Sequence, residues 1–473
     1  MFATLAAATL SLAIVTQDPT PLRAAPVGST TTQALLTAGD LLEVRGERLD
    51  HLQVYDHQRE RAGYVKASQV RPLGLQEADA PNLLAVLRFL RDTPGSEPLG
   101  IAYAAAYLKA VPAAALTAEP FDALGVMSER LARRASARGG RPGDSVAAHL
   151  EAAGRYGVKF ASFEREGAVQ LCYDGEAFRR VLAMPAEAEA LARAALALTR
   201  HDCVDPALAP PRRQALDQWR AELLDRVDGA SFMRLSEPSR NRLRLRRAGV
   251  WAALAHARSR DGGDAAAAAR RAIDELAAVN KSELGDEEQG EYAEAAIRTG
   301  ASRHAAALPV AQKAALKLLL RPGEPGQTCL LLTDPGHDVD RPLWRRCTFA
   351  TVWPASLRVA PDGRSVALAV QPMAVWTELW LLHASADGWQ LQVLPPAASE
   401  PGLGYAEFAG WVPGGRRMLV AREARSEGRL RRSFEVVSLE SFAAEKQATA
   451  PQALTLFSRW QDPLWKSQTV SLR

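Results

Sequence analysis

The residues with most chemical reach are eight histidines, at 51, 57, 149, 201, 256, 304, 337 and 383. None falls in an HxH or HExxH spacing, which leaves a helix-borne zinc hydrolase without its two imidazoles one turn apart. No GxSxG turn presents a serine nucleophile, no GxxxxGK[ST] loop cradles phosphate and no GxGxxG opens a helix. The densest set of potential ligands is Asp334-Pro-Gly-His-Asp-Val-Asp340. Asp334, His337, Asp338 and Asp340 would offer a divalent cation three carboxylates and an imidazole. The same residues suit a turn whose Asp side chains bond their own backbone, and that reading is preferred. The expectation is therefore no catalytic residue, no cofactor and no metal.

The strongest basic run is Arg240-Asn-Arg-Leu-Arg-Leu-Arg-Arg247. A helix would bring Arg240, Arg244 and Arg247 to one face, within reach of phosphates or glycan carboxylates. Glu222, Asp225, Asp228 and Glu237 lie close in sequence and no aromatics interleave, so an internally neutralised face is expected and no nucleic-acid partner. The overall balance agrees: 58 basic against 54 acidic residues in 473 leave a net charge of +4, too thin a surplus to name an anionic partner. With 47% hydrophobic and 24% charged residues the chain is globular in composition, and its length allows two to four domains.

The four cysteines, at 172, 203, 329 and 347, are widely spaced and contain no CxxC pair, against a cysteine zinc site. Three disulfide connectivities are open to them. Cys172–Cys203 and Cys329–Cys347 is favoured, because it keeps each bridge inside one predicted structural unit. Disulfides fit an oxidising compartment. So does the start of the chain, where Met1–Val15 is apolar, uncharged and rich in small residues, like the hydrophobic core of a secretory signal. Ala6-Ala7-Ala8 or Ser11-Leu12-Ala13 would serve as cleavage ends. No Lys or Arg precedes Arg23, so the basic flank of a signal is missing: either the start is assigned too far downstream, or the segment is a buried strand or helix, and export is the reading preferred. The chain is expected to be periplasmic or secreted, with no transmembrane span once the segment 1–13 is removed.

Residues 14–74 read as short strands. Leu41–Arg45 and Leu52–Tyr55 alternate at period two, Ala62–Val65 follows a charged turn, and so many brief strands suggest a small barrel. Residues 76–320 read as helices: 83–90, 98–111, 120–138, 146–156, 185–200, 211–227, 236–260, 264–279, 286–300 and 302–320, interrupted by a β-hairpin at 158–173. Trp251, Leu254, Ala255 and Ala267 flank Asp261-Gly262-Gly263 at spacings similar to one tetratricopeptide repeat, and an α-hairpin layer is the reading adopted.

From 328 to 473 the pattern is strand after strand. Leu357-Arg-Val-Ala-Pro-Asp-Gly-Arg-Ser-Val-Ala-Leu-Ala369 parallels Phe408-Ala-Gly-Trp-Val-Pro-Gly-Gly-Arg-Arg-Met-Leu-Val420. In each, Pro fixes φ and Gly supplies the positive φ that reverses the chain. Trp376, Trp380, Trp389 and Trp411 are expected in the cores of these strands, and Gln468–Arg473 as a last strand closing on the region of Cys329.

The order Leu22-Arg-Ala-Ala-Pro26, Ala38-Gly-Asp-Leu-Leu-Glu-Val44, Leu52-Gln-Val-Tyr55, Gly63-Tyr-Val65 and Ser68-Gln-Val70 resembles a bacterial SH3 domain, with Tyr64 in the aromatic position usually held by Trp. This implies an SH3-like barrel that contacts peptide or peptidoglycan, with Arg23, Tyr55 and Tyr64 as its binding residues. Pro361-Asp-Gly-Arg364 and its repeat resemble the blades of TolB-like β-propellers. That implies a partial propeller, or a sandwich built from the same hairpins. Together these readings give a multidomain α+β protein. Its expected role is that of a non-enzymatic, exported binding or scaffold protein of the bacterial cell envelope, with an envelope protein or peptidoglycan as partner. The alternatives are a cell-wall hydrolase with unrecognised catalytic residues, or a structural subunit completed by a partner. Oligomeric state is not legible.

Overall fold

A computed structural model describes residues 11–137, 145–165, 167–308, 315–398, 401–426 and 428–468. The chain is mixed α and β and divides into two compact units, residues 1–208 with 227–234, and residues 209–226 with 235–473.

The first unit opens with β1 (Leu12–Val15), β2 (Thr20–Arg23), β3 (Thr32–Leu36), β4 (Leu41–Arg48), β5 (His51–Asp56), β6 (Arg61–Lys66) and β7 (Val70–Leu73). They form one sheet in the order β3-β2-β6-β5-β4-β1-β7. The path is open: among the described residues no pairing joins β3 to β7, so the expected closed barrel is not formed by backbone pairing. Strand alternation sends Ala13, Val15, Leu22, Leu42, Val54 and Val65 to one face, where they form a core. Gly63 belongs to that face because a Cβ there would lie 2.6 Å from Leu22 Cδ1.

The segment read as a cleavable leader thus contributes a strand. Leu12, Ala13 and Ile14 pair with both β4 and β7, and Ala13 to Val15 are fully buried. Removal after Ala13 would take two residues of β1, whereas Ala6-Ala7-Ala8 lies outside the described residues.

Helices follow: α1 (Ala80–Arg91), α2 (Glu97–Ala110), α3 (Glu119–Ser136) and α4 (Val146–Arg155), then the hairpin β8 (Phe160–Arg165) and β9 (Ala168–Tyr173), then α5 (Glu176–Leu182) and α6 (Ala188–Leu198). Leu83, Leu87 and Leu90 recur at helical spacing; Leu87 packs with Ile101, Met127 and Leu131, and Leu83 and Leu90 with Ala102, Tyr103 and Ala106. Gly100 permits that closeness, since a Cβ on it would sit 2.1 Å from Met127 Sδ. The loop expected at 139–143, and Asp144 as a helix cap, lie outside the described residues. The helix expected over 185–200 is shorter, and α5 precedes it.

The second unit takes α7 (Pro210–Asp225), while the short α8 (Gly229–Met233) belongs to the first. Then come α9 (Glu237–Asp261), α10 (Ala265–Ala277) and α11 (Asp286–Ser302). Gly262, at φ 73°, ends α9, and the Asp264 side chain accepts from Ala267 N–H at 2.8 Å to start α10. This is an α-hairpin, sealed against α11 by Leu245, Ala248, Leu276, Ala295 and Ile297.

The helix expected over 302–320 does not form. Arg303–Ala306 makes one tight turn and Lys317–Pro322 is a strand, β10, paired with β11 (Thr328–Thr333) and through it with β12 (Trp344–Thr348). The run Leu318-Leu319-Leu320 suits a buried strand as well as a helix, and the pairing with β11 decides.

Two four-stranded antiparallel meanders complete the unit. One is β13 (Thr351–Val359), β14 (Ser365–Met373), β15 (Trp376–Ser385) and β16 (Gly388–Leu394); the other is β17 (Gly404–Val412), β18 (Arg417–Ser426), β19 (Arg429–Ser438) and β20 (Ala444–Ala448). A short parallel contact, Trp376 with Gly404 and Thr377 with Tyr405, joins them. The repeated Pro-containing turns occupy equivalent places, between β13 and β14 and between β17 and β18. They also touch, since a Cβ on Gly415 would lie 2.5 Å from Asp362 Oδ2. Trp376 and Trp380 are buried in the first meander.

The chain then turns helical, α12 (Thr455–Trp460) and α13 (Pro463–Gln468), with Phe457 and Trp465 packed on Phe434 and Leu419. The strand expected over 468–473 lies outside the described residues, apart from Gln468 at the end of α13.

Candidate binding face

The three residues named for binding fall on one face of the first sheet. Arg23 on β2 is directly opposite Tyr64 on β6, and Tyr64 is opposite Gln53 on β5. Two residues along, Ala62, Tyr55 and Glu43 form the next cross-strand row. The period of two places both rows on the side away from the buried Leu22, Val54 and Val65. Arg23, Tyr55 and Tyr64 are each half-buried.

Sequence reasoning missed the groups around Tyr55. A bulge between Val44 and Gly46 leaves Arg45 as the extra residue of β4. Its guanidinium lies 4.0 Å from the Tyr55 ring centroid, in cation–π range, and forks onto Glu43 at 3.1 and 3.2 Å. His57 reaches the same carboxylate at 2.6 Å and meets Tyr55 edge-on at 4.8 Å. The bond from Arg45, with that of His57, holds the Glu43 carboxyl below its ordinary value. Arg23 is anchored by Nη1 donating to Thr30 C=O at 3.1 Å. The face therefore presents two phenols, fixed guanidinium groups and an ionised carboxylate. These suit stacking and hydrogen bonding, and no nucleophile is paired with a base among them. The signal available in the sequence was the alternation of Glu43, Arg45, Tyr55 and His57, but the bulge that brings Arg45 over Tyr55 is invisible there.

One Asp–His pair has the outline of catalytic machinery. His149 Nε2 lies 2.7 Å from Asp18 Oδ2, and its Nδ1 contacts Arg134 Nη2. A guanidinium can only donate, so Nδ1 accepts from Arg134 and Nε2–H donates to Asp18. The nitrogen that would activate a nucleophile is thereby occupied. Arg134 also pairs with the fully buried Glu97, which Arg130 Nε reaches at 2.6 Å. Burial alone would raise Asp18, but the bonds from His149 and Ala38 N–H outweigh it and hold the carboxyl below its usual range. The network ties the loop after β1 to α2, α3 and α4.

A second buried polar set lies in the other unit. Glu407 accepts from Trp465 Nε1 at 2.7 Å and pairs through its other oxygen with Arg303. Arg358 meets Asp462 at 3.4 Å, and beside them a cavity of about 20 Å³ has room for about one water. Burial keeps the adjacent His304 well below its ordinary value, hence neutral. These contacts brace α13 and the turn before it against β13 and β17.

The remaining sequence candidates resolve locally. Asp334 Oδ1 takes Gly336 N–H and His337 Nδ1, both at 2.8 Å, and Asp338 Oδ1 takes the N–H groups of Asp340 and Arg341. Among the described residues no three His, Cys, Asp or Glu side chains gather as a metal set. In the basic run, Arg240 pairs with Glu237, Arg242 with Glu288, and Arg247 with Asp225 and Glu275. Cys172 is bonded to Cys203 and Cys329 to Cys347, the latter directly across β11 and β12. No described helix is long and apolar enough to cross a membrane. Comparison with protein-family models, curated proteins and solved structures finds no match to the chain.

Proposed function

We propose that the chain is a non-enzymatic binding protein of the bacterial cell envelope, working after export, with the outer face of its first sheet as the contact surface. On this reading the sheet is an SH3-like module, and Arg23, Tyr55 and Tyr64 engage peptide or peptidoglycan. The observation that carries the reading is register: these residues, named from sequence alone, share one solvent-side face, reinforced by Arg45, Glu43 and His57. Aromatic rings braced by guanidinium groups suit amide planes and sugar rings alike. Two disulfides and no free cysteine support an oxidising compartment.

The two meanders are read as propeller-like blades, with β10–β12 as a partial third, serving as a scaffold. The occupied Nδ1 of His149 and the self-satisfied Asp334 loop favour binding over hydrolysis. Co-sedimentation with purified peptidoglycan sacculi, with zymography on the same material, tests the proposal. Retention without clearing is expected, and clearing of the substrate by the pure protein would replace it with the hydrolase reading.

A further inference from the structure

An open groove of about 740 Å³ lies between the β1–β7 end of the first sheet and helices α1 and α2. Its apolar part is Val86, Phe89 and Leu90 of α1 with Leu99 of α2. Phe89 is 71% exposed, a large ring left in water with no evident structural use. Around these stand Gln17, Ser68, Arg71 and Tyr103. None of the four has a side-chain hydrogen bond or ion pair with the described residues. Among the described residues Arg71 is the one charged side chain lining the groove, close enough to Tyr103 for its charge to act on the phenol. The contrast with the neighbouring helices is sharp. Arg88, Arg91, Arg130 and Arg134 are each held by a carboxylate of the chain.

We propose that this groove binds the C-terminal end of a protein chain, its terminal carboxylate on Arg71 and Tyr103 and its last, bulky apolar side chain against Val86, Phe89, Leu90 and Leu99. One free cation beside an apolar surface complements one carboxylate next to an apolar group, and a charge-assisted bond to guanidinium is the strong contact of such a pair. Gln17 and Ser68 can bond the ligand's last amides, and an alkyl chain would leave them unmet. Strand addition is not the mode of binding, because Pro72 removes an N–H from the edge strand β7. A terminal alanine, as in peptidoglycan stem peptides, would leave Val86, Phe89 and Leu99 largely uncovered. The proposal goes beyond the envelope reading and does not rest on it.

The test is affinity enrichment of C-terminally randomised hexapeptides on the immobilised full-length, oxidised protein, as free acids and as C-terminal amides, read by mass spectrometry. Free acids ending in Leu, Ile, Phe or Met are expected to be enriched about tenfold over the amides. Arg71→Glu should abolish the enrichment, and Phe89→Ser should erase the preference for a bulky last residue. Both side chains are exposed, so thermal melts of the variants should match the parent. Equal capture of acids and amides would overturn the proposal. So would no enrichment, tighter binding of a stem pentapeptide ending in D-alanine, or displacement of every peptide by oleate. A parent protein that fails to sediment with sacculi yet enriches free acids would sink the envelope reading and leave this one standing.

Discussion

The Arg45 guanidinium covers the ring of Tyr55 at 4.0 Å while forking onto Glu43. One side chain thus orients an aromatic surface and keeps a carboxylate charged. Arg45→Ala should therefore move the Glu43 titration upward, toward its ordinary 4.5, because the bond from Arg45 is the largest cause of its lowering. Side-chain NMR titration reads this directly. An unchanged Glu43 would mean that His57 alone sets the charge.

Asp18 and His149 are 131 residues apart in sequence and 2.7 Å apart in the fold. His149→Ala leaves Asp18 and the Arg134 contact without their shared partner and should destabilise the first unit by about 1–3 kcal/mol. The pH dependence has a definite sign. A carboxyl held below its ordinary 3.8 stabilises fully above that value, and the contribution drains away as pH falls through the lower folded value. Urea unfolding of the parent and of Asp18→Asn should therefore converge as pH drops below 3.8. A gap that stays constant through that range would contradict the assignment.

In the second unit, Trp465 is the donor that satisfies one oxygen of the buried Glu407. Trp465→Phe keeps much of the packing on Phe434 and Phe457 but removes that donor. It should cost about 1–3 kcal/mol, seen as a lower unfolding midpoint. No change would mean that Arg303 alone suffices.

The bridges close 31 and 18 residues of chain. The chain-entropy model assigns roughly 3–4 kcal/mol to loops of such length. Iodoacetamide should add no label to the unfolded, unreduced protein and four after reduction, one for each cysteine. Label before reduction would remove the oxidising-compartment argument.

Where sequence gave a correct reading, the determinant was local. The Pro361–Arg364 turn and its Gly-Gly counterpart marked two equivalent reversals because only Pro and Gly chemistry fits them. The cysteine pairing followed from keeping each bridge within one unit. The misreadings have physical causes too. Leu318–Leu320 is too short an apolar run to separate helix from strand without its partner β11. The boundary drawn after residue 13 cuts through β1 because a buried strand such as Leu12–Val15 and a signal core share an apolar, small-residue composition. The helices α12 and α13 were hidden because Phe457 and Trp465 gain meaning only from the sheet they cover. The Asp18–His149–Arg134 chain spans three distant segments and leaves no pattern in any of them.

The face carrying Arg23, Tyr55 and Tyr64 is proposed to hold envelope material. Its most direct measurement is co-sedimentation of the oxidised full chain with purified sacculi, the parent beside the Tyr55→Ala/Tyr64→Ala variant, with circular dichroism confirming that both are folded. The parent is expected to pellet with the sacculi and the variant to stay in the supernatant. A parent that remains soluble, or a folded variant that pellets equally, would contradict it.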